Sequence, residues 1–579
     1  MSALDPDVAA LLRKYALQNA LEYDGQGQVG SVMGRVMGEN PDLRSQAKML
    51  SGAIAKAVAE ANALAASDGL DHIREILARE NPEALEKRVK ERREGLPPLP
   101  NADDGKVVLR FAPNPNGPLS FGHARGVVIN SELARMHEGE VILRFDDTDT
   151  KVKVADPAAY ALIEEDFTWL TGRAADRVLR ASERMPVYLE YAQRTLAEGH
   201  GYVCECSGES FKEHRVGMTD CPCRNRPTEA NLELWTQMND GTLSPGDAVV
   251  RIRTDMTLPN PALRDWPALR IQDGEHPLVG TQYRVWPLLD FQSAVEDHLQ
   301  GVTHIVRGKD LMDSTRKQTL LYEKFGWEYP ETLYWGRVKV HEFGGFSTSR
   351  MKADIAAGKF AGWDDPRLPT LRALRRRGYD AGAIRKFWID LGLTQKDIAV
   401  PMATLNSINA KTVDADAPRI SFVREPVRIA LDCAGIEMPD AIHPPIHPEH
   451  PDKGQRNWPL ESACGLEVLL TPHDHADGLE KGRIRLKEFA DISLQSDQGG
   501  RVEGLDREKG TPIIHWLPAS LAKDAVMLLE DEGELREVEG CIEANEHAVG
   551  TILQVERMGF ARIDGVDEMG RQRLVHLHD

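Results

Sequence analysis

The chain runs to 579 residues, 41% of them hydrophobic and 28% charged. That is the balance of a globular protein, and the length exceeds what one core supports, so about three to five domains are expected. Acidic side chains outnumber basic ones 91 to 71, for a net charge of −20, which speaks against a polyanion binder working through total charge and leaves any nucleic-acid contact to local basic surface. No apolar run reaches the ~18 residues of a membrane span. The first 24 residues lack the zones of a signal peptide, so a cytoplasmic protein without membrane contact is expected.

Residues 1–95 read as helical. Asp5 and Pro6 fit the N-cap and N1 positions, and Val8, Leu11, Leu12 and Tyr15 share one helical face. A second helix is expected over 72–94, closing on the charge-dense run Glu86–Glu94, before Gly95–Pro100 breaks it. Val107–Phe111 then reads as a strand, Ala112–Pro118 as a turn, Phe121–Met136 as a helix and Glu140–Phe145 as a second strand. This βαβ pattern implies a parallel sheet with a ligand site at its carboxyl edge. Residues 196–285 read as an insertion. Further strands are expected at Val302–Val306 and Leu333–Val340, helices over 364–396, and an all-β part from about residue 420.

Six segments carry candidate chemistry. Arg110–Arg125, RFAPNPNGPLSFGHAR, leads from a strand end into a helix N-terminus, where free N–H groups and the helix dipole favour a phosphate. Gly122 would let a ligand approach the backbone, His123 could donate to phosphate oxygens, and the planar fork of Arg110 suits a carboxylate. A bare Gly-His pair would equally be an ordinary turn with a surface histidine. Phe346–Lys352, after Gly344 and Gly345, is alone only a Ser/Thr-rich loop with a basic end. Leu143–Asp149 is an acidic strand end. Trp286–His298 and Gly301–Asp310 precede and enter the next strand. Gly362–Gly378 contains Arg372, Arg375, Arg376 and Arg377, a basic patch suited to a phosphate backbone or to a solvated helix face. Of seven cysteines, four form two Cys-x-Cys pairs, Cys204/Cys206 and Cys221/Cys223. In a cytosolic chain they read as a closed tetrahedral metal site or as unliganded thiols; Cys433, Cys464 and Cys541 are scattered.

Taken together, the six strings resemble class I glutamyl- and glutaminyl-tRNA synthetases. Ser120–His123 is similar to the family's His-Ile-Gly-His motif, with serine at the first position. Phe346–Lys352 resembles its second ATP motif, with Arg350 in place of the catalytic lysine, and Arg144–Thr148 resembles its Arg-Phe-Asp-Asp-Thr motif. The resemblance implies catalytic roles for His123 and Arg350. It implies ATP contacts for Pro113, Ser120, Gly122, His123, Ser347, Ser349 and Arg350, with Mg²⁺ as the metal partner of ATP. It implies amino-acid contacts for Arg110, Ala112, Asp146 and Arg307, with Asp146 meeting the substrate ammonium. It implies tRNA contacts for the four arginines and structural zinc on the four cysteines. Arg307-Gly-Lys-Asp310 resembles the archaeal-type glutamyl branch, and two guanidiniums suit the two carboxylates of glutamate. Leu289 stands where relatives often carry tyrosine.

The implied fold is a multidomain α/β protein. It comprises a helical extension (1–100), a Rossmann-like catalytic domain in two halves (101–195 and 286–360), and an inserted acceptor-binding domain with the zinc site (196–285). A helical connector (361–420) and anticodon-binding β-barrels (421–579) follow. The expected partners are ATP, L-glutamate and tRNA(Glu), with tRNA(Gln) as a second candidate, and a monomer is the family default. The N-terminal helices are either a docking module for a partner protein or a layer on the catalytic domain. The competing readings are a glutaminyl-tRNA synthetase and a non-catalytic tRNA-binding protein.

Overall fold

A computed structural model describes residues 5–40, 43, 47–85, 95–344, 346–460, 465–531 and 533–579. The chain divides into two units, Met1–Arg93 and Glu94–Asp579. In the first, helix α1 (Pro6–Glu22) begins as its sequence dictates: Asp5 accepts the Asp7 N–H at 2.9 Å and Pro6 stands at the first helical position. Leu12 and Tyr15 are buried, and Val8 and Leu11 pack against the same core. Helices α2 (Val29–Glu39) and α3 (Ala47–Glu80) complete the unit. Helix α3 is broken at Gly69, whose φ of 84° lies in the left-handed region open to glycine. The helix expected over 72–94 is therefore the tail of α3 and stops at Glu80. Pro82 follows; it lacks an N–H and drives Asn81 out of helical geometry (φ −152°, ψ 69°). The run 86–94 lies outside the described residues.

In the second unit, β1 (Val108–Phe111), α4 (Phe121–Met136) and β2 (Glu140–Phe145) form a βαβ unit with β1 and β2 parallel. After α5 (Pro157–Thr171), β3 (Arg177–Arg180) adds to β2, again parallel. Helix α6 (Met185–Ala197) leads into the insertion. There β4 (Gly201–Cys204), α7 (Gly208–Gly217), α8 (Thr228–Asp240), β5 (Val249–Ile252), β6 (Pro267–Ile271) and β7 (Val285–Pro287) build an antiparallel sheet in the order β4-β5-β6-β7. Trp266 and Trp286 sit in its core.

The chain returns through α9 (Leu289–Leu299) to β8 (His304–Gly308), α10 (Met312–Phe325) and β9 (Glu331–Trp335), with β8 and β9 parallel. Thr303 N–H donates to Val108 O at 3.0 Å, joining this pair to β1. The strand expected from Val302 starts two residues later because Val302 N–H still closes the end of α9 on Asp297 O at 2.9 Å. The strand expected over Leu333–Val340 splits into β9 and β10 (Val338–Val340). The break falls at Gly336, where an added Cβ would lie 2.2 Å from Lys396 O.

Helix α11 (Thr348–Ala356) precedes α12 (Leu371–Arg377), α13 (Ala381–Leu391) and α14 (Met402–Val413). Phe387 and Trp388 of α13 pack on Phe121 at ring distances of 5.3 and 5.0 Å, so the start of α4 is held by aromatic burial. Among the described residues the remainder forms two curled seven-stranded sheets and a two-stranded one, Ala441–Ile442 with Trp458–Pro459. It is not all β: α15 (Pro472–Lys481) starts on a Thr471 cap with Pro472 at N1. Among the described residues no helix is long and apolar enough to cross a membrane.

Candidate active site and metal centre

Ser120 is the N-cap of α4. Its Oγ accepts the His123 N–H at 3.3 Å, and its own N–H donates to His123 Nδ1 at 3.2 Å. This is a capping box with histidine in the place usually held by glutamate or glutamine. Because Nδ1 accepts, the neutral ring carries its proton on Nε2, the nitrogen left for a ligand. The ring reaches solvent but is crowded by protein on its flanks. That desolvation, with the nearby Lys153 charge, lowers its pKa. Gly117, three residues before the cap, has no room for a side chain: a Cβ would meet Thr348 Cγ2 and the Trp363 ring. At Gly122 a Cβ would meet nothing nearer than Ser120 Oγ at 3.7 Å, so the fold leaves space there.

The segment expected as a Ser/Thr-rich loop is the first turn of α11. Ser347 caps it by accepting the Arg350 N–H at 3.3 Å, and Ser349 Oγ lies 3.4 Å from Ser347 Oγ. The Arg350 side chain is 69% exposed, with Asp354 at 3.7 Å. Lys352 pairs with Asp156 at 2.6 Å, and the Asp156 N–H donates to Pro115 O at 2.7 Å. The two segments are therefore tied together at Gly117 and again through Asp156. Gly345 lies outside the described residues.

Arg110, Ala112, Asp146 and Arg307 line one cavity of about 190 Å³. That is below the ~300–1,000 Å³ of pockets for drug-sized ligands and suits a small metabolite. Strand alternation brings Arg110 from β1 and Arg144 and Asp146 from the end of β2 to this edge. Arg144 is buried, donating to Asp146 at 2.9 Å, Asp297 at 2.7 Å and Ser293 Oγ at 3.0 Å. Gln292 donates to Asp146 at 2.8 Å. The Pro113 carbonyl accepts the Asp146 N–H at 3.0 Å and so braces the strand end.

Arg307 differs from its neighbours. It is 6% exposed and among the described residues donates only to neutral oxygens: Thr315 Oγ1 at 2.6 Å, Tyr329 Oη at 2.8 Å and Gln318 Oε1 at 3.0 Å. Its Nε is buried without a partner, and burial, with Arg110 nearby, lowers its pKa. A buried cation without a carboxylate is costly until an anion arrives. Arg144, Gln292, Ser293, Asp297 and Gln318 were not singled out from sequence. The available signal was the period of two that places Arg144 on the face of Asp146. Leu289 lines the cavity mouth, 46% exposed.

The four arginines of α12 are engaged within the protein. Arg372 pairs with Glu165, and Arg375 reaches the same carboxylate at 3.1 Å. Arg376 forks onto Asp564 at 3.1 and 2.7 Å, and Arg377 donates to Leu577 O at 2.8 Å. The last two fasten α12 to the C-terminal strands.

The four cysteines converge: their sulfurs all lie within 4.8 Å of one another, with Cys204–Cys221 at 4.0 Å and Cys206–Cys223 at 3.8 Å. A tetrahedral zinc with ~2.3 Å bonds has sulfur–sulfur edges of about 3.8 Å, so the donor set fits, and the spacing is far beyond a ~2.05 Å disulfide. Cys204 and the Tyr202 hydroxyl hydrogen-bond to Cys221 and hold it below the usual thiol range. The pairs flank α7 and bracket its two ends. Cys464 lies outside the described residues.

A parallel sheet with an inserted antiparallel module, two helices with capped N-termini tied together beside its edge, and a cavity lined by Arg110, Arg144, Asp146 and Arg307 are the arrangement expected of a class I synthetase. The family model for the catalytic domain of class I tRNA synthetases (E and Q) matches residues 106–415, and that for their anticodon-binding domain matches 417–507. A glutamate–tRNA ligase of Archaeoglobus fulgidus is 42% identical over 96% of this chain and 98% of its own. Its counterpart in Methanosarcina acetivorans is 44% identical over 98% of each, and that of Pyrococcus abyssi 41% over 97% and 98%. The chain belongs to the class I tRNA synthetases of the E and Q type.

Proposed function

We propose that this chain is a glutamate–tRNA ligase, an ATP-dependent enzyme of protein synthesis. The observation that carries the choice of glutamate is Arg307, a buried guanidinium whose partners are all neutral. Glutamine would leave it uncompensated, whereas the second carboxylate of glutamate neutralises it. Full-length similarity to glutamate–tRNA ligases supports the same reading.

In the first step the glutamate α-carboxylate attacks the α-phosphate of ATP and pyrophosphate leaves. Arg110 and Arg307 hold the carboxylates and Asp146 the ammonium. His123, through Nε2–H, and Arg350 meet the charge that grows on the phosphates. Pro113, Ser120, Gly122, Ser347 and Ser349 frame the nucleotide, and Ala112 bounds the amino acid. Mg²⁺, carried by ATP, would offset phosphate charge. In the second step the terminal ribose hydroxyl of tRNA attacks the adenylate carbonyl, the carbonyl–phosphate bond breaks, and AMP leaves as the hydroxyl gives up its proton. No protein nucleophile is required, so the work is positioning and electrostatics.

Zinc on Cys204, Cys206, Cys221 and Cys223 would clamp both ends of α7 in the inserted module. Metal analysis with chelator titration tests this: about one zinc per chain, and an insert that melts earlier once stripped, are expected. Arg375, the most exposed of the four arginines, with Arg372, Arg376 and Arg377 behind it, faces the tRNA backbone. The domain bounds of this reading are 1–100, 101–195, 196–285, 286–360, 361–420 and 421–579. The enzyme is a cytoplasmic monomer whose N-terminal helices offer a surface to a partner protein.

The deciding experiment charges tRNA(Glu) and tRNA(Gln) with glutamate and glutamine side by side, together with tRNA-dependent ATP–pyrophosphate exchange. Glutamate transfer to tRNA(Glu) is expected. Preferential glutamine transfer would favour a glutaminyl enzyme, and tight tRNA binding without any exchange would favour a non-catalytic one.

A further inference from the structure

The cavity carries more internal charge than holding a carboxylate requires. Asp297 on α9 is fully buried, and its carboxylate accepts from two arginines: Arg110 Nε at 3.2 Å, Arg110 Nη2 at 3.5 Å and Arg144 Nη1 at 2.7 Å. Burial pushes its pKa up, yet Arg110 and Arg144 outweigh that and hold it below the usual carboxylate range. Clamped through Nε and Nη2, Arg110 keeps Nη1 without a partner among the described residues. Arg144 continues to Asp146, while Arg307 meets no carboxylate among the described residues. The guanidiniums of Arg110, Arg144 and Arg307 thus face the carboxylates of Asp146 and Asp297, leaving one positive charge in excess. Glutamate brings two carboxylates and one ammonium, a net charge of one negative. Glutamine brings none.

We propose that Asp297 is a positioning residue that sets amino-acid specificity: it clamps Arg110 with Nη1 left for the substrate, and it holds the cavity at one excess positive charge, the complement of glutamate. The proposal rests on the glutamate reading given above. Without Asp297, Arg110 and Arg144 would compete for Asp146, the carboxylate assigned to the substrate ammonium. The cavity would then carry two excess charges and favour a ligand with two negative charges and no ammonium.

Asp297→Asn tests both halves. The KM for glutamate should rise at least about 30-fold, the scale of a broken buried charge pair, while the KM for ATP stays within about threefold. Glutarate, the same dicarboxylate without an ammonium, should inhibit more tightly than it inhibits the parent enzyme. The double variant Asp297→Asn with Arg144→Gln returns the excess charge to one. Its Ki for glutarate should move back towards the parent value while the glutamate KM stays high, because the clamp is still missing. A merely structural role would weaken glutamate and glutarate together, and that result overturns the proposal. So does an Asp297→Asn enzyme with both constants within about threefold of the parent. Thermal melting reports folding, and should the single variant not fold, the double variant decides on the same two constants. Preference of the parent enzyme for glutamine would instead sink the glutamate reading, before any variant is made.

Discussion

Around the amino-acid cavity, Arg110 and Arg144 have each found a carboxylate and Arg307 is wedged among three hydroxyl and amide oxygens. Arg350, on the first turn of α11, stands mostly in solvent with its nearest acid 3.7 Å away. The contrast separates two ways of handling charge. In the cavity Arg110 and Arg144 are already paired with acids, whereas the partners of Arg307 among the described residues are all neutral. The segments at Ser120 and Ser347 use their serines to cap their own helices and leave the Arg350 side chain mostly in solvent. Pre-organised pairs select, because a wrong ligand leaves a buried charge unpaired; mobile ones act when charge develops in the transition state.

Removing the unpaired cation should break this contrast most severely. Arg307→Ala is expected to lower kcat/KM for glutamate by about 10²–10³, since the buried cation is lost and Thr315, Gln318 and Tyr329 lose the donor they shared. Its KM for ATP should be little changed. Steady-state exchange kinetics read both constants, and an equal loss in the two would show that the cavity and the nucleotide segments are not separable. Arg350→Ala should act on the other side: kcat of adenylate formation falls about 100-fold, as for other charge-stabilising groups, with the glutamate KM unchanged. Arg350→Lys should recover most of that, because an exposed cation needs charge more than a planar fork.

The parts of this contrast differed in how far they could be read from sequence. The helix Phe121–Met136 and the strand Glu140–Phe145 were legible to the residue, because cap, turn and apolar period agree there. The convergence of Arg110, Asp146 and Arg307 on one cavity was implied by the family resemblance, and their places at or just beyond strand ends account for it. Asp297 was not legible. It lies 187 residues from Arg110, and nothing in the segment Trp286–His298 tells it apart from the other acids of α9, Asp290 and Glu296, or shows what it will meet. The same holds for the arginine run of α12: the sequence displays four adjacent cations, but Glu165 and Asp564, which engage three of them, are remote in the chain. Arg125, the last residue of the first motif, is another case. It donates to the carbonyls of Gly336 and Gly392 between the rings of Trp335 and Trp388, and burial lowers its pKa to about 10. Local pattern specifies elements, whereas pairing across elements specifies the site, and only the first is periodic in sequence.

The smallest expected effect bears on the residue at which the first motif departs from its family. In Ser120→Ala the hydroxyl that accepts the His123 N–H is lost, but the backbone N–H of residue 120 still donates to His123 Nδ1. Half of the capping box survives, and with it the tautomer that leaves Nε2–H for phosphate. Loss of a cap costs about 1 kcal/mol, and Phe121, buried against Phe387 and Trp388, holds the helix start independently. Pyrophosphate exchange should therefore fall by no more than about fivefold, that energy on the scale of ~1.4 kcal/mol per tenfold. A fall near 100-fold would mean that the hydroxyl acts on the nucleotide and not on the helix. In that case the first segment, like the cavity, would be built around its ligand, and the solvent-exposed Arg350 would stand apart from both.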